Sequence, residues 1–470
     1  NDFLKIDKRL NKYTKELYSF KIVEKILKEI ENIAVKEDYE FVDANISEII
    51  VDKNFIDIKI NVIESDKFYI KQVNIFGNNI TIEDVIRNQL LVDEGDPLNN
   101  VLFNKSIASI KSLNIFKTVS TEIVNTENDI EKNINITVEE KPTGEVSLGA
   151  GFGTSGASTM FGVKENNFLG KGIKLDTNLS LSEETVKGQF FLVNPNFNNT
   201  DRDLIFNLQS SETDRLTDFG YKTNKNAVSL GTNFEYLDDL FISPRLELNN
   251  EKIETSSSAS SLLKKQEGSY FDITGSYFLS YDKRNQRFEP SDGFISTFSQ
   301  QIPLTFDESQ TLINGYEITT YHEYLENNVL KLSFYSKAAN SLGDDDVRIS
   351  QRLHAPSNRL RGFERFKVGP VDGGDFVGGN YVTTVNLSAE LPVLESLDTI
   401  SINTFYDAAN VWGVDYNSSI DDSNKVRSAA GIAANWYTPI GPLTFSFAQP
   451  ITKASTDKTE GFRFNIGTSF

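Results

Sequence analysis

The chain has 470 residues, of which 67 are acidic and 47 basic, so its formal net charge at pH 7 is −20. This excess of acid argues against a nucleic-acid partner, because phosphates are bound by basic surfaces. Cysteine is absent and histidine occurs only twice, which excludes disulfides, thiolate metal sites and histidine-rich metal clusters. The mean hydropathy of −0.34 does not exclude a membrane β-barrel, because alternating strands average out as hydrophilic.

The first part of the chain, residues 1–141, mixes helical and strand patterns. Apolar residues recur at helical spacing and predict an amphipathic helix at Val23, Ile26, Leu27, Ile30 and Ile33. "ISEIIVD" and "FIDIKINVIE" predict two strands. The next segment reads as a strand in "YIKQVNIFGN", helices in "TIEDVIRNQLL" and "VLFNKSIASIKSLNIF", and strands in "VSTEIVN" and "INITVEEKP". This predicts a β-α-α-β-β module, preceded by a similar module without its first strand, so we expect the chain to begin inside a longer protein.

After Pro142 the pattern has a period of two and keeps it to the end of the chain. In "EVSLGAGF" apolar residues alternate with serine and glycine, and "YVTTVNLSAEL" and "FRFNIGTSF" alternate in the same way. Strands with one apolar and one polar face are typical of membrane β-barrels, although a soluble β-sandwich also shows them.

The connections between these strands alternate in length. "TPIG" and "PVLESLD" are short, whereas "KASTDKTEG" and "GVDYNSSIDDSNK" are long or acidic. Outer-membrane barrels have short turns on one side and long loops on the other. At roughly 20 residues per strand and connection, the segment predicts about 16 antiparallel strands. The stretch "SNRLRGFERFKVGPVDGGDFVGGN" then lies on the long-loop side.

Several motifs together point to one family. "NRLRGFERFKVGP" is similar to an Arg-Gly-Phe motif of a sixth extracellular loop, and "FYDAANVWGVDYNSS" is similar to a D-x-G-N-V-W strand end with Ala409 in place of Gly. "VRSAAGIAANWYTPIGPLTFSFAQP" is similar to a penultimate hairpin, and "NNFLGKG", "VNPNF" and "YDKRNQRFEPSDG" match further motifs. "FRFNIGTSF" fits a C-terminal β-signal. On these residues the whole chain resembles the BamA family of outer-membrane protein assembly factors.

The resemblance implies α+β periplasmic POTRA modules of β-α-α-β-β order, followed by an all-β, 16-stranded antiparallel transmembrane barrel. The implied domains are a partial POTRA module over 1–66, a membrane-proximal POTRA module over 67–142 and the barrel over 143–470. The family's first three modules have no counterpart in these 470 residues.

The resemblance also implies that the Arg-Gly-Phe loop folds back into the barrel lumen. There Arg361 would meet acidic side chains of the inner wall, at positions matching Glu390 and Asp407. The alternation independently places both carboxylates on polar, inward faces of their strands, and a buried arginine requires paired carboxylates. Gly362 would supply tight backbone and Phe363 an apolar anchor. The alternative is a solvated loop arginine.

A second predicted site is a lateral seam between the first and last strands of the barrel. A closed barrel has no sheet edge, so an assembly machine needs a closure that opens. Glycine weakens strand pairing, and a client's C-terminal strand would pair onto the opened edge by β-augmentation. The predicted seam residues are Val146, Leu148, Gly149, Gly151, Phe462, Phe464, Gly467 and Phe470.

We therefore expect a factor that folds client β-barrels into the outer membrane of a Gram-negative bacterium, with its POTRA modules in the periplasm. The implied partners are unfolded outer-membrane protein clients, assembly-complex lipoproteins, periplasmic chaperones and outer-membrane lipid, and no nucleic acid. The edge strands of the modules would accept extended segments of clients or partners; alternatively, the modules are spacers.

No enzymatic activity, cofactor or metal is expected. A G-x-G-x-x-G match at Gly151, Gly153 and Gly156 is followed by "ASTMFGV", which alternates as a strand instead of opening a helix. "GDDDVR" lacks the spaced ligands of a calcium loop. His322 and His354 are isolated, without a nucleophile motif.

Three alternatives stay open. A two-partner secretion transporter or a TamA-type translocation factor has the same fold. A passive porin would explain the barrel but not the modules or the Arg-Gly-Phe loop. An outer-membrane enzyme would need a catalytic constellation that the sequence does not indicate.

Overall fold

The computed structural model describes residues 26, 42–51, 56–64, 68–154, 156–287, 289–305, 310–325, 328–392, 399–438 and 441–467. The predicted amphipathic helix lies outside these residues apart from Ile26, which is helical and buried. The chain divides into two compact units, of which the first comprises residues 1–144 and 165–174 and the second residues 145–164 and 175–470. Across the described residues, every helix falls short of the length and apolar character that a bilayer crossing requires.

The first unit contains an antiparallel hairpin and a three-stranded module. The hairpin is formed by β1 (Val42–Ile50) and β2 (Ile56–Glu64). The module consists of β3 (Tyr69–Phe76), α1 (Glu83–Arg87), α2 (Asn100–Ser112), β4 (Phe116–Asn125) and β5 (Glu131–Glu140). Its sheet order is β3-β5-β4, with β5 parallel to β3 and antiparallel to β4. The predicted β-α-α-β-β order is confirmed.

Both helices of the module are shorter than predicted. After α1 the N–H groups of Gln89 and Leu90 bond to carbonyls only three residues back, so the helix ends in tight turns. Asn114 has a φ of 58°, a left-handed conformation that terminates α2. Phe116 consequently begins β4 instead of ending the helix. The module core contains Ile110 and Ile134, which are fully buried between helix and sheet.

The second unit is dominated by a closed, 16-stranded antiparallel barrel, as predicted. Neighbouring strands follow in chain order, and the last strand returns to the first. The barrel strands are β6 (Gly144–Gly153), β7 (Gly156–Phe168), β8 (Ile173–Ser182), β9 (Thr185–Asn194), β10 (Asp203–Arg215), β11 (Tyr221–Leu237), β12 (Leu240–Thr255), β13 (Gly268–Asp282), β14 (Gly293–Pro303), β15 (Thr311–Leu325), β16 (Asn328–Ser341), β19 (Tyr381–Glu390), β20 (Ile400–Trp412), β21 (Arg427–Thr438), β22 (Gly441–Thr452) and β23 (Phe462–Gly467).

The strand faces follow the predicted alternation. On β6 the apolar Val146 and Leu148 are 70% and 84% exposed, so they point out of the barrel. On β19 Val385 and Leu387 are exposed, whereas Val382 and Thr384 are buried on the opposite face. Outward apolar and inward polar or packed residues are what a lipid-facing barrel requires.

The connection between β16 and β19 is the longest loop of the barrel and is called the inner loop here (residues 342–380). It contains two short 3-10 turns, Ile349–Gln351 and Ser357–Arg359, and a small hairpin of β17 (Val371–Asp372) and β18 (Asp375–Phe376). A short helix, α3 (Ser261–Lys264), lies in the β12–β13 loop. Its Leu263 packs with Phe376 and Val377 of the inner loop in one buried cluster.

Candidate functional site

Arg361 of the inner loop pairs with Asp407 on the inward face of β20. Nε of Arg361 lies 2.7 Å from Oδ2 of Asp407 and Nη2 lies 2.8 Å from Oδ1, so the guanidinium meets the carboxylate in a bidentate fork. The main-chain N–H of Arg361 also donates to Oδ2, at 3.0 Å. The side chain of Asp407 is 0% exposed and that of Arg361 is 20% exposed. This excludes a solvated loop arginine.

Two neighbours that the sequence reasoning missed complete this contact. Asn386 of β19 donates to Oδ1 of Asp407 at 2.9 Å and to the carbonyl of Arg359 at 2.7 Å, so one amide joins wall and loop. The guanidinium of Arg361 lies 3.4 Å from the ring centre of Phe405, which adds a cation–π contact. Asn386 stands on the polar face of its strand, and Phe405 is an aromatic residue on the face that carries Asp407. The alternating pattern of the sequence therefore already indicated that both side chains share a face with residues of the site.

Glu390 does not take part in the arginine contact. Its carboxylate accepts the main-chain N–H of Val329 at 3.1 Å, and Asp407 is the acid paired with Arg361 among the described residues. The expectation that Arg361 meets both acids is therefore wrong for Glu390. The register explains the difference, because Asn386, which faces Asp407 across the strands, lies four residues before Glu390 on β19. Glu390 nevertheless faces the lumen, as predicted, and lines its cavity.

Gly362 and Phe363 occupy the environment expected of a tight turn and an anchor. Gly362 has a φ of +90°, and a Cβ there would lie 2.9 Å from the Cβ of Ala429. Phe363 is 1% exposed and belongs to a buried cluster with Leu360, Val382 and other residues of loop and wall. The loop backbone thus approaches the barrel wall at a point where only glycine fits.

Three more arginines of the inner loop reach acidic residues of the second unit. Arg359 pairs with Glu317 of β15, and Arg352 pairs with Asp415 of the β20–β21 loop. Arg348 lies 2.6 Å from Asp272 of β13. The inner loop is therefore attached through charged pairs around much of the barrel wall, with Arg361 as one member of a series.

The inner loop also buries titratable groups. His354 is half-buried as a residue, but both of its ring nitrogens are buried, and its ring lies beside those of Phe219 and Phe366 at centre distances of 5.8 and 5.5 Å. Burial, and then the positive charges of Arg215 and Arg352, lower the pKa of His354 from 6.5 to about 4. It is consequently neutral at pH 7.

Below the inner loop a cavity of about 2000 Å³ occupies the lumen. Its lining combines loop residues such as Asn358 with inward residues of many strands, from Ser180 to Asn435. The cavity also borders the first and last strands, through Gly153 and Asn465. The lumen is thus partly filled by the loop and partly open.

The first and last strands meet over a short length. Among the described residues, β23 pairs with β6 at three positions, where Gly467 faces Gly151, Ile466 faces Phe152 and Asn465 faces Gly153. By comparison, β22 and β23 share five pairs, and β10 and β11 share thirteen. The N–H of Thr154 adds one bond to the carbonyl of Phe464, at 3.2 Å. The seam is therefore a weakly paired junction over its described length.

The predicted seam residues divide into three groups. Gly151 and Gly467 face each other, and the ring of Phe464 lies 6.0 Å from that of Phe152, which the prediction omitted. Phe462 instead faces Phe447 of β22, with ring centres 4.8 Å apart. The rest are Val146, Leu148 and Gly149, which precede the described pairs on β6, and Phe470, which lies outside the described residues.

Comparison with known proteins agrees with this architecture. The family model described as the Omp85 superfamily domain matches residues 167–470, and the POTRA model, described as a surface antigen variable number repeat, matches residues 68–141. The chain is 24% identical over 88% of its length to the outer membrane protein assembly factor BamA of Neorickettsia risticii, and 22% identical over 95% to that of Neisseria meningitidis. It spans 57% and 62% of the lengths of these relatives.

Two further comparisons extend the range of similar proteins. The chain is 22% identical to the sorting and assembly machinery component 50 homolog A of Xenopus laevis, covering 88% of this chain and 92% of that protein. Its fold is similar to a crystal structure of BamA from Haemophilus ducreyi lacking POTRA domains 1–3, with a TM-score of 0.77, 22% identity and coverage of 99% and 98%. CdiB from Acinetobacter baumannii is similar at a TM-score of 0.51, with 13% identity and coverage of 99% and 86%.

The module and the barrel together indicate the cellular location of the protein. Lipid-facing strands and a matching POTRA module correspond to a Gram-negative outer membrane, with the module in the periplasm. Because the superfamily model covers most of the barrel and well over half of the chain, this protein belongs to the Omp85 superfamily.

Proposed function

We propose that the protein assembles other outer-membrane β-barrels and inserts them into the membrane through the seam between β6 and β23. The observation that carries this proposal is the weak junction, whose three described residue pairs are fewer than at any other barrel junction with a described register. Opening it would expose a strand edge on which a client's C-terminal strand could pair by β-augmentation. The similarity to BamA proteins, which are named as assembly factors, supports the same function.

In this proposal the partners are unfolded outer-membrane clients, assembly-complex lipoproteins, periplasmic chaperones and the lipid of the outer membrane. The free energy for insertion comes from burial of the client's apolar face in lipid, so the chain itself performs no catalysis. The proposed domain roles follow the boundaries of 1–66, 67–142 and 143–470. We propose that extended segments pair with the edge strands of the module sheet, whose centre is β5, at β4 and at the later part of β3, because residues 95–98 already pair with the start of β3.

The bidentate pair of Arg361 and Asp407 has a proposed role as a lock that holds the inner loop in the lumen. Buried pairs of this kind specify one arrangement, since separating them leaves a charge without a partner. Gly362 and Phe363 place the loop backbone against the wall. Glu390 has no part in this lock.

The alternative function is export of a dedicated partner by a two-partner secretion or TamA-type transporter. The fold similarity to CdiB proteins agrees with it, at TM-scores of 0.51 and 0.53. In that case the lumen would be the route, and the seam would stay closed.

A disulfide across the seam distinguishes the two functions. Gly151→Cys and Gly467→Cys place thiols at directly facing positions in a chain without native cysteine. We expect insertion of a client barrel into liposomes to stop when the bridge forms and to resume after reduction. Each single variant, treated with the same oxidant, is the control. Undiminished insertion by the bridged protein would exclude lateral opening.

A further inference from the structure

The last strand is bound to the inner loop as well as to its neighbours in the barrel. Arg463 of β23 points inward and donates from Nη1 to the carbonyl of Ser357 at 2.7 Å, and from Nη2 to the carbonyl of Phe363 at 2.6 Å. Its Nε donates to Glu460 at 2.9 Å. One side chain of the seam strand therefore binds the inner-loop backbone at two points, before the Arg-Gly-Phe motif and at its last residue.

The segment that leads into β23 is bound to the same part of the inner loop. This closing loop (residues 453–461) forms an antiparallel bridge between Thr459 and Phe363. The N–H of Glu460 donates to the carbonyl of Gly362, and the N–H of Glu364 donates to the carbonyl of Lys458, both at 3.0 Å. The inner loop and the closing loop thus pair as two short antiparallel segments beside the seam.

A buried aspartate attaches the closing loop a second time. The side chain of Asp457 is 0% exposed and pairs with Arg427 of β21, at 2.9 and 3.2 Å. The same carboxylate accepts the N–H of Gly369 of the inner loop at 3.3 Å. The closing loop is therefore held between barrel wall and inner loop.

The two bonds of Arg463 to the inner loop act on β23 in addition to its three described pairs with β6. Displacement of the first residues of β23 requires that Arg463 leave the two inner-loop carbonyls, in a partly buried site where charge-assisted bonds are strong. The three pairs with β6 are uncharged main-chain pairs. Besides its five pairs with β22, β23 is therefore restrained on its lumen side by the bonds of Arg463 to the inner loop.

We propose that Arg463 is a positioning residue that latches the last strand to the inner loop, so that the seam opens when the loop is released. The proposal rests on the lateral seam of the proposed function and adds how its opening is controlled. The latch at Arg463 binds the carbonyls of Ser357 and Phe363, which lie before and after the lock residue Arg361 in the inner loop. Loss of the lock would free the loop segment to which the latch is bound.

Hydrogen exchange of the intact chain in lipid, without a client, measures opening directly. We expect Arg463→Ala to speed exchange of the amides in 151–154 by about tenfold or more, since charge-assisted bonds are lost. Arg361→Ala is expected to speed the same amides. The double variant is expected to exchange no faster than the faster single variant, because both substitutions release one restraint.

Two controls separate this effect from general loosening. Arg284→Ala removes an arginine of similar exposure, paired with Asp282 at the far end of β13, and should leave seam exchange unchanged. Amides of the β11–β12 pair should exchange as in the unsubstituted chain in every variant. If the Arg463→Ala variant fails to fold into the membrane, hydrogen exchange of the Arg463→Gln variant is measured instead, with the same expected result.

Unchanged hydrogen exchange at the seam in the Arg463 variants would overturn the latch. It would also be overturned if the rate increases of the two single variants multiplied in the double variant, because the two substitutions would then act independently. The exchange result is separate from the insertion assay. Faster seam exchange with insertion unaffected by the seam disulfide would support the latch and reject the assembly route. Insertion blocked by the disulfide with unchanged exchange would reject the latch alone.

Discussion

At the scale of single residues, one buried carboxylate organises the inner loop. Asp407, on the inward face of β20, accepts three hydrogen bonds from Arg361 of the inner loop and one from Asn386 of β19. Because the side chain of Asp407 is fully buried, this acid is stable only while its cation is present.

Arg361→Ala should therefore lower the free energy of unfolding by about 3–5 kcal/mol, because Asp407 would stay buried without its cation. Asp407→Ala should also destabilise, and the double variant should lose less than the sum of the two. Urea unfolding in detergent micelles measures all three. The control is Lys425→Ala, whose exposed pair with Asp421 should contribute little to stability. If Lys425→Ala and Arg361→Ala lowered the free energy of unfolding by the same amount, the proposed lock would be contradicted.

His354 makes the inner loop sensitive to acid. Its pKa is about 4 in the folded loop and near 6.5 when exposed, so the unfolded form binds more protons throughout that window. The stability that the neutral His354 contributes to the folded loop is therefore fully present above pH 6.5 and is lost as the pH falls toward 4. We expect proteolysis of the inner loop to be faster at about pH 5 than at about pH 7.

The matched variant for this prediction is His354→Leu, which has no titrating group at that position. Its digestion should differ little between the two pH values, with a protease that is active at both. The same acid sensitivity in both proteins would assign the effect to other groups.

At the scale of elements, the inner loop depends on the close approach of its backbone to the wall. Gly362 has a φ of +90° and no room for a Cβ, whereas Gly374 has a φ of +104° with nothing within 4 Å. A side chain at either position would be strained by the left-handed backbone conformation, but only at Gly362 would its Cβ also clash with a neighbouring residue.

Gly362→Ala is consequently expected to destabilise by about 1–3 kcal/mol more than Gly374→Ala, because the added methyl would overlap Ala429. Urea midpoints of the two variants give the comparison, and Gly374→Ala accounts for the shared backbone strain. Equal midpoints would mean that the loop can move away from β21 without cost.

The secondary-structure elements could be predicted from the sequence better than the contacts between them. Period-two alternation and loop lengths were sufficient for a 16-stranded barrel, and they placed Asp407 and Glu390 correctly on inward faces. They could not decide which acid pairs with Arg361, because that depends on how the loop backbone folds between Leu360 and Phe363. For the same reason Arg463 was assigned only a polar face, although it binds a loop a hundred residues away.

At the scale of the whole molecule, the lumen is divided between loop and water. The inner loop is fixed by four arginines to residues of β13, β15, β20 and the β20–β21 loop, and the remaining cavity measures about 2000 Å³. A passive pore would need an unobstructed path instead.

Replacing residues 357–379 with a short Gly-Ser linker should therefore raise single-channel conductance in planar bilayers severalfold, since the loop would no longer fill the lumen. Arg284→Ala at the end of β13 is the control and should conduct like the unchanged protein. A high and constant conductance of the unchanged protein would instead favour a porin.

In the proposed function, the facing glycines of the seam have a consequence for selectivity. Gly151 and Gly467 present no side chains where the first and last strands meet. A segment pairing with an edge of this kind is recognised by its main chain, which every protein shares, and only weakly by sequence. One junction could then accept many unrelated substrates, and discrimination among them would fall to the parts of the chain that meet a substrate before it reaches the membrane.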